Sequence, residues 1–296
     1  MRSIASNQLP QSIQQAWTQE ADWLTAQYNN RALVPDHATH LERWARESER
    51  VRASVPCKLD VPYADGPCNR LDVFTSARPS GAVMVFIHGG YWRALSKSDS
   101  SFLAPAFTQG GVTVVVPDYS LCPTVTIDTI ALELTQAVAW VWKNATSFGG
   151  DSSRITVAGH SAGGHLAAMM LACDWAQVHL DMPSNAVRSA LSLSGVFDLE
   201  PLRHAPFLQA DLQLTPASVA RLSPARFAAP TGRLRAVVGG DESSEFHRQS
   251  RLIEAAWTAD RVPVCAAVPG CNHFTILEEL ARVGSSTHRV AMNAMA

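Results

Sequence analysis

Gly159-His160-Ser161-Ala162-Gly163 spells GxSxG, a serine set between residues small enough for a sharp strand-to-helix turn. Alone the pentapeptide is a weak signal, since chance supplies one in roughly one chain in ten of this length. Its flanks carry more: ITVAG before it has the pattern of a strand, and AGGHLAAMMLAC after it that of a helix. Such a turn lifts the hydroxyl above a sheet edge and points the new helix's N-terminus at developing negative charge. The plain alternative is a small-residue turn used only for packing.

A serine hydroxyl attacks only when a base takes its proton, and the base needs an orienting acid. Behind an elbow of this kind the partners follow in the order Ser, acid, His, each in a loop after a strand. His273 stands in the last place. It follows VCAAV and the turn Pro269-Gly270-Cys271-Asn272, and it opens FTILEEL, expected to be the final helix. A surface histidine is the alternative there, and His160 and His165 fall inside the elbow and its helix, where a base has no use. For the acid, Asp241 ends RAVVGG and starts a loop, and the double glycine before it permits a sharp turn. Asp198, after the preceding strand, is the next choice, or else a helix cap; Glu242 and Glu245 are close neighbours of Asp241. The third element is His88-Gly89-Gly90-Tyr91-Trp92, straight after AVMVFI. A tetrahedral oxyanion needs preorganised backbone N–H donors, which glycines expose without obstruction. The second donor belongs to the residue after the nucleophile, here Ala162.

These residues need a scaffold, and the chain supplies one. CKLDVPY and NRLDVFT alternate like the arms of an antiparallel hairpin around Asp65-Gly66-Pro67. The runs at 82–87, 112–116, 155–159, 190–195, 235–239 and 264–268 are continuously apolar, as strands buried on both faces are. Helical stretches at 128–147, 162–173, 245–258 and 274–282 alternate with them. The expectation is an α/β fold with a mostly parallel, doubly wound sheet of about eight strands. Residues 1–55 form a helical lead-in or cap, with helices from residue 9 broken around Pro35 and with Trp17, Trp23, Tyr28 and Trp44 available for packing or for a pocket mouth. Residues 198–230, studded with Pro201, Pro206, Pro216, Pro224 and Pro230, read as an irregular, lid-like insertion. Because the motifs run from 88 to 273, the 296 residues read as one domain.

Composition narrows the function. Hydrophobic residues are 47% and charged residues 17%, which excludes disorder and supports a large core. Lys+Arg 24 against Asp+Glu 26 gives −2, so no nucleic-acid-binding surface is implied. The longest apolar run, Leu166 to Cys173, is too short to span a bilayer, and MRSIASNQLPQSIQQAW lacks the apolar core of a signal peptide. Cysteines 57, 68, 122, 173, 265 and 271 show no CxxC pairing and read as reduced thiols of a cytoplasmic protein. No HxxEH-like or clustered His/Asp spacing points to a metal, and the serine chemistry calls for no cofactor. The expected partner is a small zwitterionic or uncharged substrate, with no nucleic acid and no membrane; a homodimer stays open.

Together the motifs resemble the α/β-hydrolase fold of the esterase/lipase group, related to hormone-sensitive-lipase-like enzymes. More narrowly, HGGYW (88–92), GHSAGGHL (159–166), VVGGDESSEFHRQS (237–250), GCNHF (270–274) and YNNRALVPDH (28–37) resemble the kynurenine formamidase (arylformamidase) family. Many esterases carry a further glycine where Tyr91 stands. The resemblance implies Ser161 as nucleophile, Asp241 as acid and His273 as base, with Gly89, Gly90 and Ala162 as oxyanion donors. Tyr91 and Trp92 would wall the acyl site, or else brace their loop against the core. The implied reaction is hydrolysis of N-formyl-kynurenine to kynurenine and formate. A general carboxylesterase is the alternative within enzymes. A catalytically silent binding protein of the same fold is disfavoured, because no member of the Ser, acid, His set is missing.

Overall fold

The apolar runs pair into a single sheet. The computed structural model describes residues 21–296, so the expected lead-in from residue 9, Trp17 included, lies partly outside the described residues. The strands are β1 Cys57–Pro62, β2 Arg70–Phe74, β3 Gly81–Ile87, β4 Thr113–Pro117, β5 Gly150–His160, β6 Ser189–Leu193, β7 Arg233–Gly239 and β8 Val264–Val268. Their spatial order is β1-β2-β4-β3-β5-β6-β7-β8. Only the β1–β2 and β2–β4 pairs are antiparallel; from β4 to β8 every neighbour is parallel. This is the expected eight-stranded α/β-hydrolase sheet. β8 departs from the reading in one respect: VCAAV is an edge strand with Ala266 and Ala267 exposed, its small side chains needing no second layer.

The helices are α1 Ala21–Tyr28, α2 Asn30–Leu33, α3 His37–Ser54, α4 Ala104–Thr108, α5 Ile127–Asn144, α6 Ala162–Ala172, α7 Glu200–His204, α8 Pro206–Leu212, α9 Pro216–Leu222, α10 Ser244–Trp257, α11 Thr275–Ala281 and α12 Ser286–Met295. Alternation along β3 divides them into two layers. Val83, Val85 and Ile87 enter one core with Leu134 and Val138 of α5 and Leu166 of α6. Met84 and Phe86 enter the other with Phe107 of α4, Leu277 of α11 and Ala291 of α12. Burial on both faces removes the polar alternation from the strands, which is why they read as unbroken apolar runs.

Two sequence expectations change. The 198–230 segment is not irregular: α7, α8 and α9 each carry proline within their first two positions, where its missing N–H is no loss and its fixed φ suits the helix. The chain also does not end its helices at FTILEEL. α12 follows, capped by the Ser285 side chain accepting from the His288 N–H (3.0 Å), and it covers the second core with Ala291 and Met295. At the N-terminus the break falls at Pro35 between α2 and α3, as read. Among the described residues no helix is long and apolar enough to cross a membrane, and the six cysteines are free.

Candidate active site

β5 ends at His160, α6 begins at Ala162, and Ser161 is the single residue between them. It sits at φ +55°, ψ −118°, a conformation costly for a residue with a side chain and sustained only by its surroundings. The Ser161 N–H donates to the Leu193 carbonyl of β6 (2.8 Å), and the Ser161 carbonyl accepts from His165 of α6 (3.1 Å). The flanking glycines are close-approach residues. A Cβ at Gly159 would stand 2.2 Å from the Gly163 carbonyl oxygen, and one at Gly163 2.0 Å from that of Ile87 at the end of β3. Small residues thus let α6 press against the strands. Ala162, buried at the first turn of α6, has a backbone N–H for which the helix offers no acceptor.

The loop after β3 stands beside it, in an unusual backbone run. Gly90, Tyr91, Trp92 and Leu95 all have positive φ, from +51° to +102°. Several bonds hold this strain. The Tyr119 hydroxyl donates to the His88 carbonyl (2.9 Å) while the two rings stack at 4.1 Å, and the Cys122 N–H donates to the Trp92 carbonyl (2.8 Å). The Tyr91 hydroxyl donates to the Tyr28 carbonyl of α1, and Arg93 donates to the Phe207 carbonyl (2.8 Å) and to the Asp211 carboxylate in α8. Burial, reinforced by the charge of Glu242, keeps the Tyr91 phenol protonated. Trp92 takes the bracing role rather than the walling one. It is fully buried, meets the His165 ring edge-on at 5.1 Å and does not border the cavity described below.

The carboxylate that meets His273 is Glu242's and not Asp241's. His273 Nδ1 lies 2.7 Å from Glu242 Oε2, with both side chains almost wholly buried. Glu242 Oε1 accepts from the Gly239 N–H (2.7 Å) and from the Ser194 hydroxyl. Asp241 is exposed; its N–H donates to the Cys271 carbonyl (3.0 Å), a main-chain bond that ties the acid loop to the histidine loop. The double glycine serves the next residue: the turn from Gly239 to Glu242 brings the carboxylate back over Gly239, where a Cβ would come within 2.9 Å of Glu242 Oε1. Asp198 is excluded by its own partners, accepting from Arg226 (2.9 Å) and from the Glu200 N–H (3.3 Å) at full burial. Glu245 is bound to Tyr28 and Arg248. No feature of the string GGDE separates its two acids, because the choice lies in side-chain direction around a turn.

Ser161, His273, Gly90 and Tyr91 open together into a cavity of about 390 Å³, the size of a small-molecule site. Its far wall brings in Asn30 and Trp44 from the N-terminal helices, Trp44 being one of the residues available for packing or a pocket mouth, and Phe207 and Asp211 of α8, from the 198–230 stretch read as lid-like. His160, set aside as having no use, borders the same space, and its Nε2 contacts the His273 carbonyl oxygen (2.8 Å). A serine at a strained elbow, a histidine oriented by a buried carboxylate and helix N–H groups beside them can perform acyl transfer to water.

Sheet and elbow are those of an α/β-hydrolase, an enzyme of the group that acts on esters and amides. The BD-FAE family profile matches residues 71–210. Kynurenine formamidase of Danio rerio is 31% identical over 81% of this chain and 83% of its own, and that of Salmo salar 30% identical over 88% and 90%. Among solved structures, a provisionally assigned thioesterase from Silicibacter sp. tm1040 superposes with a TM-score of 0.79 at 29% identity, covering 90% of this chain and 97% of its own. The chain belongs to the kynurenine formamidase family.

Proposed function

We propose that the protein hydrolyses N-formyl arylamines, N-formyl-kynurenine among them, to the arylamine and formate. The observation that carries the reading is the buried Glu242–His273 pair opening onto the same cavity as Ser161. Ser161 Oγ attacks the formyl carbon while His273 Nε2 takes its proton, and Glu242 steadies the imidazolium that results. The oxyanion forms against the N–H groups of Ala162 and the Gly89–Gly90 turn. Collapse expels the arylamine, protonated by His273, and a water activated by the same histidine clears the formyl-serine as formate. Tyr91 beside the nucleophile, tied down by its bond to Tyr28, supports a narrow acyl side suited to formyl or acetyl groups.

The likeness to a thioesterase favours a second reading, a short-chain esterase, because the same triad serves both and the cavity wall selects. A side-by-side rate comparison of N-formyl-kynurenine with phenyl acetate and a long-chain aryl ester separates them. The formamide is expected to be turned over at least as fast as the acetate, the long-chain ester slowly, and Ser161→Ala to abolish both activities. A formamide rate far below that of the acetate would leave the esterase reading.

A further inference from the structure

His160 is a histidine that the triad does not use, yet it is 4% exposed and borders the cavity beside Ser161. Its Nε2 faces the carbonyl oxygen of His273 at 2.8 Å. A carbonyl only accepts, so Nε2 carries the proton and Nδ1 is left as an acceptor. Among the described residues Nδ1 has no hydrogen-bond partner, and the residue lines the cavity. Gly89 locates it: a Cβ built on that residue would lie 3.2 Å from His160 Nδ1 and 3.2 Å from Ser161 Cβ. The acceptor therefore lies against the oxyanion loop at Gly89, which Ser161 approaches as closely. Trp44, edge-on at 6.2 Å, and the His273 ring at 4.7 Å hold the imidazole in place. Burial, and then the neighbouring His273, push its pKa well below the ordinary value, so the ring stays neutral.

We infer that His160 is a specificity-determining residue that favours amides over esters, its Nδ1 accepting the hydrogen bond of the leaving-group N–H. The inference rests on the formamidase reading above. When the tetrahedral intermediate collapses, the C–N bond breaks, its electron pair goes to nitrogen, and that nitrogen takes the proton from His273 Nε2. The nitrogen lone pair must face His273, which turns its own N–H to another wall of the cavity, where His160 Nδ1 receives it. An N–H left there without an acceptor would be costly, whereas the leaving oxygen of an ester carries no hydrogen and gains nothing.

The test is the ratio of kcat/KM for formanilide to that for phenyl acetate, in wild type and in His160→Phe, with N-methylformanilide as a third substrate for the wild type. His160→Phe is expected to lower the ratio about tenfold, the effect of one lost acceptor, and N-methylformanilide to be cleaved at least about tenfold more slowly than formanilide. A purely structural role would depress both activities alike, and an unchanged ratio in the variant overturns the inference. Equal rates on the methylated and unmethylated formanilides overturn it too, without any variant that must fold. A wild type that cleaves phenyl acetate and no formanilide overturns the formamidase reading, and this inference with it; formanilide turnover with an unchanged ratio overturns this inference alone.

Discussion

Two adjacent carboxylates, Asp241 and Glu242, end in opposite environments. Asp241 reaches solvent, while Glu242 is buried against His273, Ser194 and the Gly239 N–H. The consequence for catalysis is asymmetric. Glu242→Gln should lower kcat by about three to four orders of magnitude, since an amide neither fixes the imidazole tautomer as a carboxylate does nor stabilises its charged form. Asp241→Asn should stay within about twofold of wild type. Measuring kcat on phenyl acetate for both variants, with circular dichroism to establish that each is folded, checks the assignment; a large loss in Asp241→Asn alone would reverse it. The sequence brought the acid to within one residue, at the right loop after the right strand. Periodicity reports where strands end, but the direction of a side chain in a turn depends on bonds to Ser194 and His273, 48 and 31 residues away.

Between elements, His165 joins the elbow helix α6 to the end of α9. Its Nε2–H donates to the Leu222 carbonyl (2.6 Å) and its ring receives Trp92 edge-on. Burial pushes its pKa down to about 4, from the ordinary 6.5. The unfolded chain therefore binds a proton between pH 6.5 and 4 that the folded chain refuses. Stability from this group is complete above pH 6.5 and is lost as the pH falls towards 4, by roughly 3 kcal/mol in all. His160, also held low, adds to the loss in the same direction. Denaturant titrations from pH 7 to 4 should show the decline, and His165→Gln should flatten its slope. A slope equal to that of wild type would show that His165 is not the group responsible. The same join bears on the 198–230 segment: its prolines suggested irregular chain, but Pro201, Pro206 and Pro216 lie in the first turns of short helices, and α9 is fastened to the catalytic helix through one imidazole.

At the scale of the whole molecule, the N-terminal helices belong to the site. Trp44 of α3 is 3% exposed, stacks on Phe102 at 5.8 Å and approaches His160 and Phe274. The Tyr28 hydroxyl reaches Glu245, 217 residues on (2.7 Å), and its carbonyl receives Tyr91 from the oxyanion loop. Trp44→Ala should therefore cost about 3–5 kcal/mol of stability, as large-to-small changes in a packed core do. It should also raise KM, because the same indole borders the cavity. A denaturant midpoint within experimental error of wild type would contradict that packing.

What the sequence determined by itself is everything written in local pattern. Strand and helix order, the parallel core, the elbow at Ser161, the loop at 88–92 and the histidine at 273 follow from burial periodicity and from turns that only small residues allow. Contacts between distant segments settle the rest: which acid orients His273, that Trp92 lies beneath its loop rather than in the cavity, that α2, α3 and α8 close the far wall, and that His160 offers an acceptor there. The physical reason is that backbone propensity acts over a few residues. The direction of a buried polar side chain is settled by whichever donor or acceptor the fold brings within about 3 Å, however far away it lies in the chain.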